Sequence, residues 1–117
     1  MKKEKEINMT TYTWKIESIT SYQNYNGISD VVFKALWRCI AEDVDGENRY
    51  IADFTSLSYI NIAADPTFTP YDQLNEDQII NWLWSNGVVK TDVETSLANE
   101  ITAQKSGIAI TTKIKPW

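Results

Sequence analysis

The stretch VVFKALWRCIAEDVDGENRYIADFTSLSYI, residues 31–60, predicts one long antiparallel β-hairpin. Near its centre lies Asp45-Gly46, a dipeptide that is favoured in two-residue type I′ turns. Because successive side chains of a strand point to opposite faces, a loop at this dipeptide sorts the residues into two sets. The largely apolar set contains Val31, Phe33, Ala35, Trp37, Cys39 and Ala41 on one strand, with Tyr50, Ala52, Phe54, Ser56, Ser58 and Ile60 on the other.

The predicted register places Trp37 opposite Phe54, an aromatic pair worth about 0.2–1 kcal/mol relative to Ala–Ala. On the opposite face, the same register forms two pairs of opposite charge and one pair of isoleucines: Glu42 with Arg49, Arg38 with Asp53, and Ile40 with Ile51. A slip of one residue would turn polar side chains toward the core. The apolar pattern therefore predicts which face is buried.

Length and composition bound the class of protein. The chain has 117 residues, of which 43% are hydrophobic and 23% charged, as in ordinary globular proteins. One domain of this size can bury about 65% of its unfolded surface without a metal or a disulfide. The formal net charge of −5 argues against sequence-independent nucleic-acid binding, which depends on clustered lysine and arginine.

Several residue types that carry chemistry are scarce. The chain has one cysteine, Cys39, which excludes an internal disulfide, and its place on the apolar face predicts a small buried hydrophobe. There is no histidine, the commonest general base and metal ligand. The sequence also has no long apolar run, so we expect no signal peptide and no membrane span.

The segments before the hairpin divide into a lead, a strand and a loop. We expect residues 1–8 to be a charged, flexible N-terminal lead and residues 9–117 to be a single α+β domain. Residues 11–19 alternate between apolar and polar, which predicts a half-buried strand. Residues 21–30, centred on Asn26-Gly27, have the composition of a turn-rich loop.

Two helices are predicted after the hairpin. Asn75 is a candidate N-cap, and Gly87 is the candidate C′ residue that ends the first helix. The sequence from Thr91 to Glu94 matches a capping box for the second helix. Its predicted buried stripe contains Val93, Leu97, Ala98 and Ile101. The short connection predicts an antiparallel helical hairpin.

Residues 108–114 alternate again and predict a fourth strand. The element order is then β-β-β-α-α-β. The predicted fold class is α+β, an antiparallel sheet of about four strands with the helical hairpin packed on one face.

No set of residues is arranged for bond-making. The acidic residues Glu42, Asp43, Asp45 and Glu47 do not match an EF-hand loop, so we expect a solvated hairpin tip. Other carboxylates, at Asp65, Asp72, Glu76 and Asp77, lie at or before a helix start, where acidic residues have a structural role. We therefore expect no catalytic, cofactor-binding or metal-binding residues, and no enzymatic activity.

Aromatic residues are the candidates for a protein interface. Trp82 and Trp84 flank the apolar stripe of the first helix, because positions i and i+2 do not share a helix face. Two interpretations stay open: the rings cover the margins of a broad buried face, or at least one forms a protein contact. The same alternatives hold for Trp117. Tyr22 and Tyr25 either form a contact surface or cover the underside of their own loop.

Four segments of the chain carry a family resemblance: MTTYTWKI from Met9, ALW from Ala35, FTPYDQLNEDQIINWLW from Phe68, and the closing Pro116-Trp117. In these the sequence resembles a family of small uncharacterised proteins encoded largely by tailed phages of marine cyanobacteria. The resemblance implies a viral origin. The family has no assigned activity, so it implies no catalytic residues.

Two functions are consistent with the sequence. The first is a non-enzymatic virion or assembly component that binds copies of itself or a larger phage protein. The second is a small acidic host-takeover protein that inhibits a host factor. We accordingly expect a protein partner in the virion or the host cytoplasm, a possible homo-oligomer, no cofactor, no nucleic acid and no membrane.

Overall fold

The computed structural model describes residues 10–61, 69–107 and 116. Within these ranges three antiparallel strands form one sheet in chain order: β1 (Thr11–Tyr25), β2 (Ile28–Asp45) and β3 (Asn48–Tyr59). A 3₁₀ turn (Tyr71–Gln73) and the helices α1 (Glu76–Ser85) and α2 (Lys90–Lys105) follow. The predicted α+β class is confirmed. The predicted lead at 1–8 and the predicted fourth strand at 108–114 lie outside the described residues.

The prediction of a loop at residues 21–30 is wrong. Strands β1 and β2 continue to a two-residue turn at Asn26 and Gly27, both with positive φ (55° and 87°), as a type I′ turn requires. The side chain of Asn24 accepts a hydrogen bond from the Gly27 amide at 3.1 Å. This end of the hairpin is largely exposed, so its strands carry turn-forming polar residues and lack the apolar alternation that identifies a strand.

The second hairpin turns one residue later than predicted. Asp45 pairs with Asn48, so the loop is Gly46-Glu47. Gly46 has a φ of 65° and Glu47 is not in the left-handed region, which is the pattern of a type II′ turn. The strand partners therefore move by two residues, and Trp37 lies opposite Ser56 instead of Phe54.

A shift of two residues preserves the faces, because side chains alternate with a period of two. The predicted charge pairs consequently survive as diagonal contacts. Arg38 Nη2 lies 2.6 Å from Asp53 Oδ2, and Arg49 pairs with Glu42. The rings of Trp37 and Phe54 are also diagonal neighbours, with centroids 5.6 Å apart.

Helix α1 begins and ends as predicted. The Asn75 side chain accepts a hydrogen bond from the Gln78 amide at 2.9 Å, as an N-cap does. At the other end, Gly87 has a φ of 102°, and the Val88 amide donates to the Leu83 carbonyl at 3.1 Å. This bond satisfies a terminal helix carbonyl in the manner of a Schellman motif.

The capping box predicted for α2 is wrong. The helix begins at Lys90, with Val89 at the N-cap position and no side chain capping it. Thr91 therefore lies inside the helix. The Glu94 carboxylate accepts a hydrogen bond from Trp14 Nε1 at 2.9 Å, so it serves a tertiary contact where a local cap was expected.

The core lies between one face of the sheet and both helices. Small residues on β2 and β3 allow the helices to approach the sheet closely; they are Ala35, Cys39, Ala41 and Ala52, all buried. Leu83 of α1 and Leu97 and Ile101 of α2 fill the space above them. Helix α1 packs against β1, and α2 packs against β2 and β3.

The opposite face of the sheet is covered by none of the described helices. Leu57 and Tyr59 on this face are 52% and 69% exposed. The Cα extents of 60 × 45 × 21 Å are consistent with one sheet and one helix layer, since each layer is about 10 Å thick. We call the uncovered side the open face.

Substitution of the same residue type in the two environments tests this arrangement. We expect Leu83→Ala to lower the free energy of unfolding by about 2–5 kcal/mol, because it leaves a cavity in the core. Leu57→Ala on the open face is the matched control and should cost less than about 1 kcal/mol. Urea unfolding followed by circular dichroism measures both; equal losses would contradict the one-sided core.

Candidate protein-interaction surface

Four aromatic rings stack in a row across the strands. The ring centroids of Tyr25 and Tyr22 are 5.4 Å apart, those of Tyr22 and Phe33 are 4.1 Å apart, and those of Phe33 and Tyr59 are 6.3 Å apart. Interplanar angles between 19° and 26° make each contact a stacked one. We call these four residues the aromatic row.

A β-bulge brings Phe33 into the row. Thr20 pairs with Lys34 and Ser21 pairs with Val32, so Phe33 is an extra residue on β2. Bulges re-aim side chains in this way. The neighbouring Lys34 pairs with Tyr59 of β3, which places the fourth ring beside the bulge.

The aromatic row faces solvent and carries a cation. Tyr25, Tyr22 and Tyr59 are 40%, 42% and 69% exposed. The Lys34 ammonium lies 5.7 Å from the ring centroids of both Phe33 and Tyr59, within cation–π distance. The result is an exposed aromatic surface with a positive charge at one end.

The two tryptophans predicted on α1 lie elsewhere, and both are half-buried. Trp82 packs against the margin of the core. Trp84 meets Trp14 edge-on at 5.4 Å, and Lys90 covers its ring at 5.0 Å. Among the described residues, the buried Nε1 of Trp84 has no hydrogen-bond partner. Trp117, the third predicted tryptophan, lies outside the described residues.

The structure thus brings together two of the five predicted interface residues, Tyr22 and Tyr25. It adds Phe33, Tyr59 and Lys34, which no pattern in the sequence marks as interface residues. The alternating pattern predicts Phe33 on the buried face. In the structure, the bulge turns its ring toward Tyr22. No sequence signal for that bulge was available.

The expectation that the acidic residues of the hairpin tip are solvated is wrong for Asp43. It is only 2% exposed, accepting a hydrogen bond from Thr10 Oγ1 at 2.7 Å and lying 3.1 Å from Lys105 Nζ. The Thr10 hydrogen bond, together with Lys105, lowers the carboxyl pKa despite the opposing effect of burial. Asp43 continues the buried face of β2 and ties the end of α2 to the sheet.

No metal-holding cluster is found among the described residues. Across 10–61 and 69–107, no group of three or more His, Cys, Asp or Glu side chains is placed to hold a metal ion. None of the helices in these ranges has the length and hydropathy needed to cross a membrane.

Comparison with known proteins identifies a family. The model of a family described as a domain of unknown function, DUF7936, matches residues 9–117. No curated protein and no solved structure matches the chain. The description of the family names no activity, substrate or partner.

Asp43 should make stability depend on pH. Because its pKa is lowered in the folded state, its contribution is complete well above the ordinary value of 3.8 and is lost as the pH falls through the lower folded-state pKa. We expect Asp43→Asn to cost about 1–3 kcal/mol at pH 7 and less at pH 3. Urea unfolding of both proteins at the two pH values measures the difference; a constant difference would contradict this role.

Cys39 should be inert in the folded protein. Burial, with a smaller effect of Glu94, raises the pKa of its thiol to about 11, so about one thiol in a thousand is ionised at pH 8. We expect no reaction with a disulfide reagent until denaturant is added. Rapid labelling of the native chain would show that the Cys39 region opens.

Proposed function

The chain belongs to the family described as domain of unknown function DUF7936, and we propose that it acts without catalysis, through protein–protein contacts, as a small virion or assembly component of a tailed phage. The resemblance to proteins of marine cyanobacterial phages supports the phage origin in this proposal. The contact role comes from the surface of the folded chain.

The observation that supports a contact role is the exposed aromatic row. Tyrosine is enriched in interface hot spots, because it offers a large rigid contact area together with a hydroxyl group. In this chain three tyrosines and Phe33 lie against one another, so a partner would cover them as one continuous patch. Their mutual stacking orders the rings before binding and reduces the entropy that a partner must remove.

A protein partner fits the aromatic row better than a nucleic acid does. Aromatic rings can stack on bases, but proteins that bind single strands combine the rings with a basic groove that follows the phosphates. The row carries Lys34, while the whole chain has a net charge of −5. Repulsion between that charge and a phosphate backbone disfavours the nucleic-acid alternative.

The partner in this proposal is a larger structural protein of the particle or a second copy of the chain. In a homo-oligomer, the aromatic row or the open face of one copy would pack against the same surface of another copy. Sedimentation velocity of the purified chain distinguishes a self-contact from a contact with another protein.

A second candidate function is favoured by the charge of the chain. A net charge of −5 and a sequence pI of about 4.6 suit a small acidic protein that binds and inhibits a basic host factor. This host-takeover role would place the chain in the host cytoplasm instead of the virion. Like the first candidate, this role involves no catalysis and depends on contacts made by the aromatic row.

Mass spectrometry of purified phage particles tests the proposal. We expect the chain in the particles at a fixed ratio to the main structural proteins. The double variant Tyr22→Ser, Tyr59→Ser should reduce its incorporation at least tenfold, because it removes two rings of the row.

Val44→Ser is the control for this experiment, since Val44 is an exposed apolar residue at the other end of the sheet. It should leave incorporation unchanged. Absence of the unmodified chain from particles would overturn the virion role and favour the host-takeover candidate.

A further inference from the structure

We propose that the groove between the outer edge of β3 and helix α2 binds an extended basic segment of a partner protein, which pairs with β3 as an added strand. This inference rests on the proposed function as a protein-binding chain and identifies the chemistry of one partner segment. The site is separate from the aromatic row.

The hydrogen bonds of β3 show which backbone groups face outward. The Ile60 amide donates to the Phe33 carbonyl at 2.8 Å, so even-numbered positions of this strand direct their polar groups toward β2. Odd-numbered positions such as Asp53, Thr55 and Leu57 therefore direct theirs outward. Within residues 10–61 and 69–107, no strand pairs with this edge.

One outward group, the Ile51 carbonyl, already accepts a hydrogen bond of the kind that an added strand would donate. Gln104 Nε2 of α2 donates to the Ile51 carbonyl at 2.9 Å. A side-chain amide thus occupies the place of the backbone N–H of a neighbouring strand. No described strand pairs with the outward groups beyond Ile51, so an added strand can pair with them.

The groove beside this edge has an apolar floor. Its volume is about 230 Å³, and Phe54, Val93 and Leu97 form its apolar lining. Phe54 is 48% exposed, so part of its ring is accessible in the groove. A strand paired with β3 turns alternate side chains toward α2, so an apolar residue of that strand would cover Phe54.

Two carboxylates on α2 determine the charge of the segment. Asp92 and Glu100 line the groove, and within the described part of the chain neither has a cation partner. By contrast, Arg38 neutralises Asp53 across the strands. A basic segment would supply the missing positive charges.

The spacing of these carboxylates matches an extended chain. Asp92 and Glu100 are eight residues apart on a helix that lines the groove along its length, hence about 12 Å apart along the axis. Residues i and i+4 of a strand are about 13 Å apart and lie on the same face. The fitting segment therefore has lysine or arginine at i and i+4, with an apolar residue at i+2.

The same charges disfavour a second copy in the groove. Pairing of two β3 edges around a two-fold axis would bring two α2 helices, each with Asp92 and Glu100, side by side. Juxtaposed like charges at an interface are costly. A basic segment of another protein meets these carboxylates with the opposite sign.

Fluorescence anisotropy with a labelled peptide tests the proposal on the full chain. The probe is Thr-Lys-Thr-Val-Thr-Lys-Thr, and the matched probe has glutamate in place of both lysines. We expect the basic probe to bind at least tenfold more tightly. Glu100→Lys should weaken its binding at least tenfold, whereas Glu17→Lys, an equal charge change at an exposed site of β1, should change it less than twofold.

A backbone variant separates strand pairing from charge attraction. Thr55→Pro removes one outward N–H, and proline is tolerated at an edge strand when the lost N–H faces outward. We expect it to abolish peptide binding while the circular dichroism spectrum is retained. Unchanged binding by a folded Thr55→Pro protein would overturn the strand-addition mode.

Two further outcomes would overturn the proposal. One is equal binding, or no binding, of the basic and acidic probes. The other is stronger binding of a peptide with the sequence of residues 108–115 than of the foreign probe, which would assign the groove to a segment of this chain. Particle incorporation with failed peptide binding would reject only the groove, whereas peptide binding without incorporation would reject only the virion role.

Discussion

Trp14 is the residue on which the rest of the structure depends, because its indole joins the sheet to both helices. It stacks on Trp37 of β2 at 5.2 Å, meets Trp84 of α1 edge-on, and donates its N–H to Glu94 of α2. Trp37 in turn donates its Nε1–H to Ser58 of β3 at 2.9 Å. All three strands and both helices are thus linked through two neighbouring indoles, each with its polar atom satisfied.

Apart from Phe33, which the bulge re-aims, the sequence predicted the buried face of the long hairpin correctly and its register incorrectly, for one physical reason. Alternation identifies which side chains share a face, but a shift of two residues leaves that pattern unchanged. The choice between a loop at Asp45-Gly46 and one at Gly46-Glu47 depends on backbone angles at the turn. A type I′ and a type II′ turn both accommodate the glycine, and composition alone did not distinguish them.

The candidate surfaces were less predictable, because they depend on contacts between distant segments. For Tyr22 and Tyr25 the sequence leaves two alternatives, a contact surface or the underside of their own loop, whereas the stacking of Tyr22 on Phe33 follows from a bulge in β2. The sequence predicts a solvated tip for Asp43 because it lies among the acidic residues Glu42, Asp45 and Glu47. Its partners, Thr10 and Lys105, come from the two ends of the described chain. Local patterns cannot reveal such pairings.

The two-residue turns also bear on the order in which the fold can form. Closing a short loop costs little chain entropy, so each hairpin can zip outward from its own turn before distant segments meet. The helices reach the sheet only through a longer closure that begins at the end of β3, which costs more chain entropy than either turn. A three-stranded meander with two such short turns can consequently form without the helices, and its buried face then provides the surface on which both helices pack.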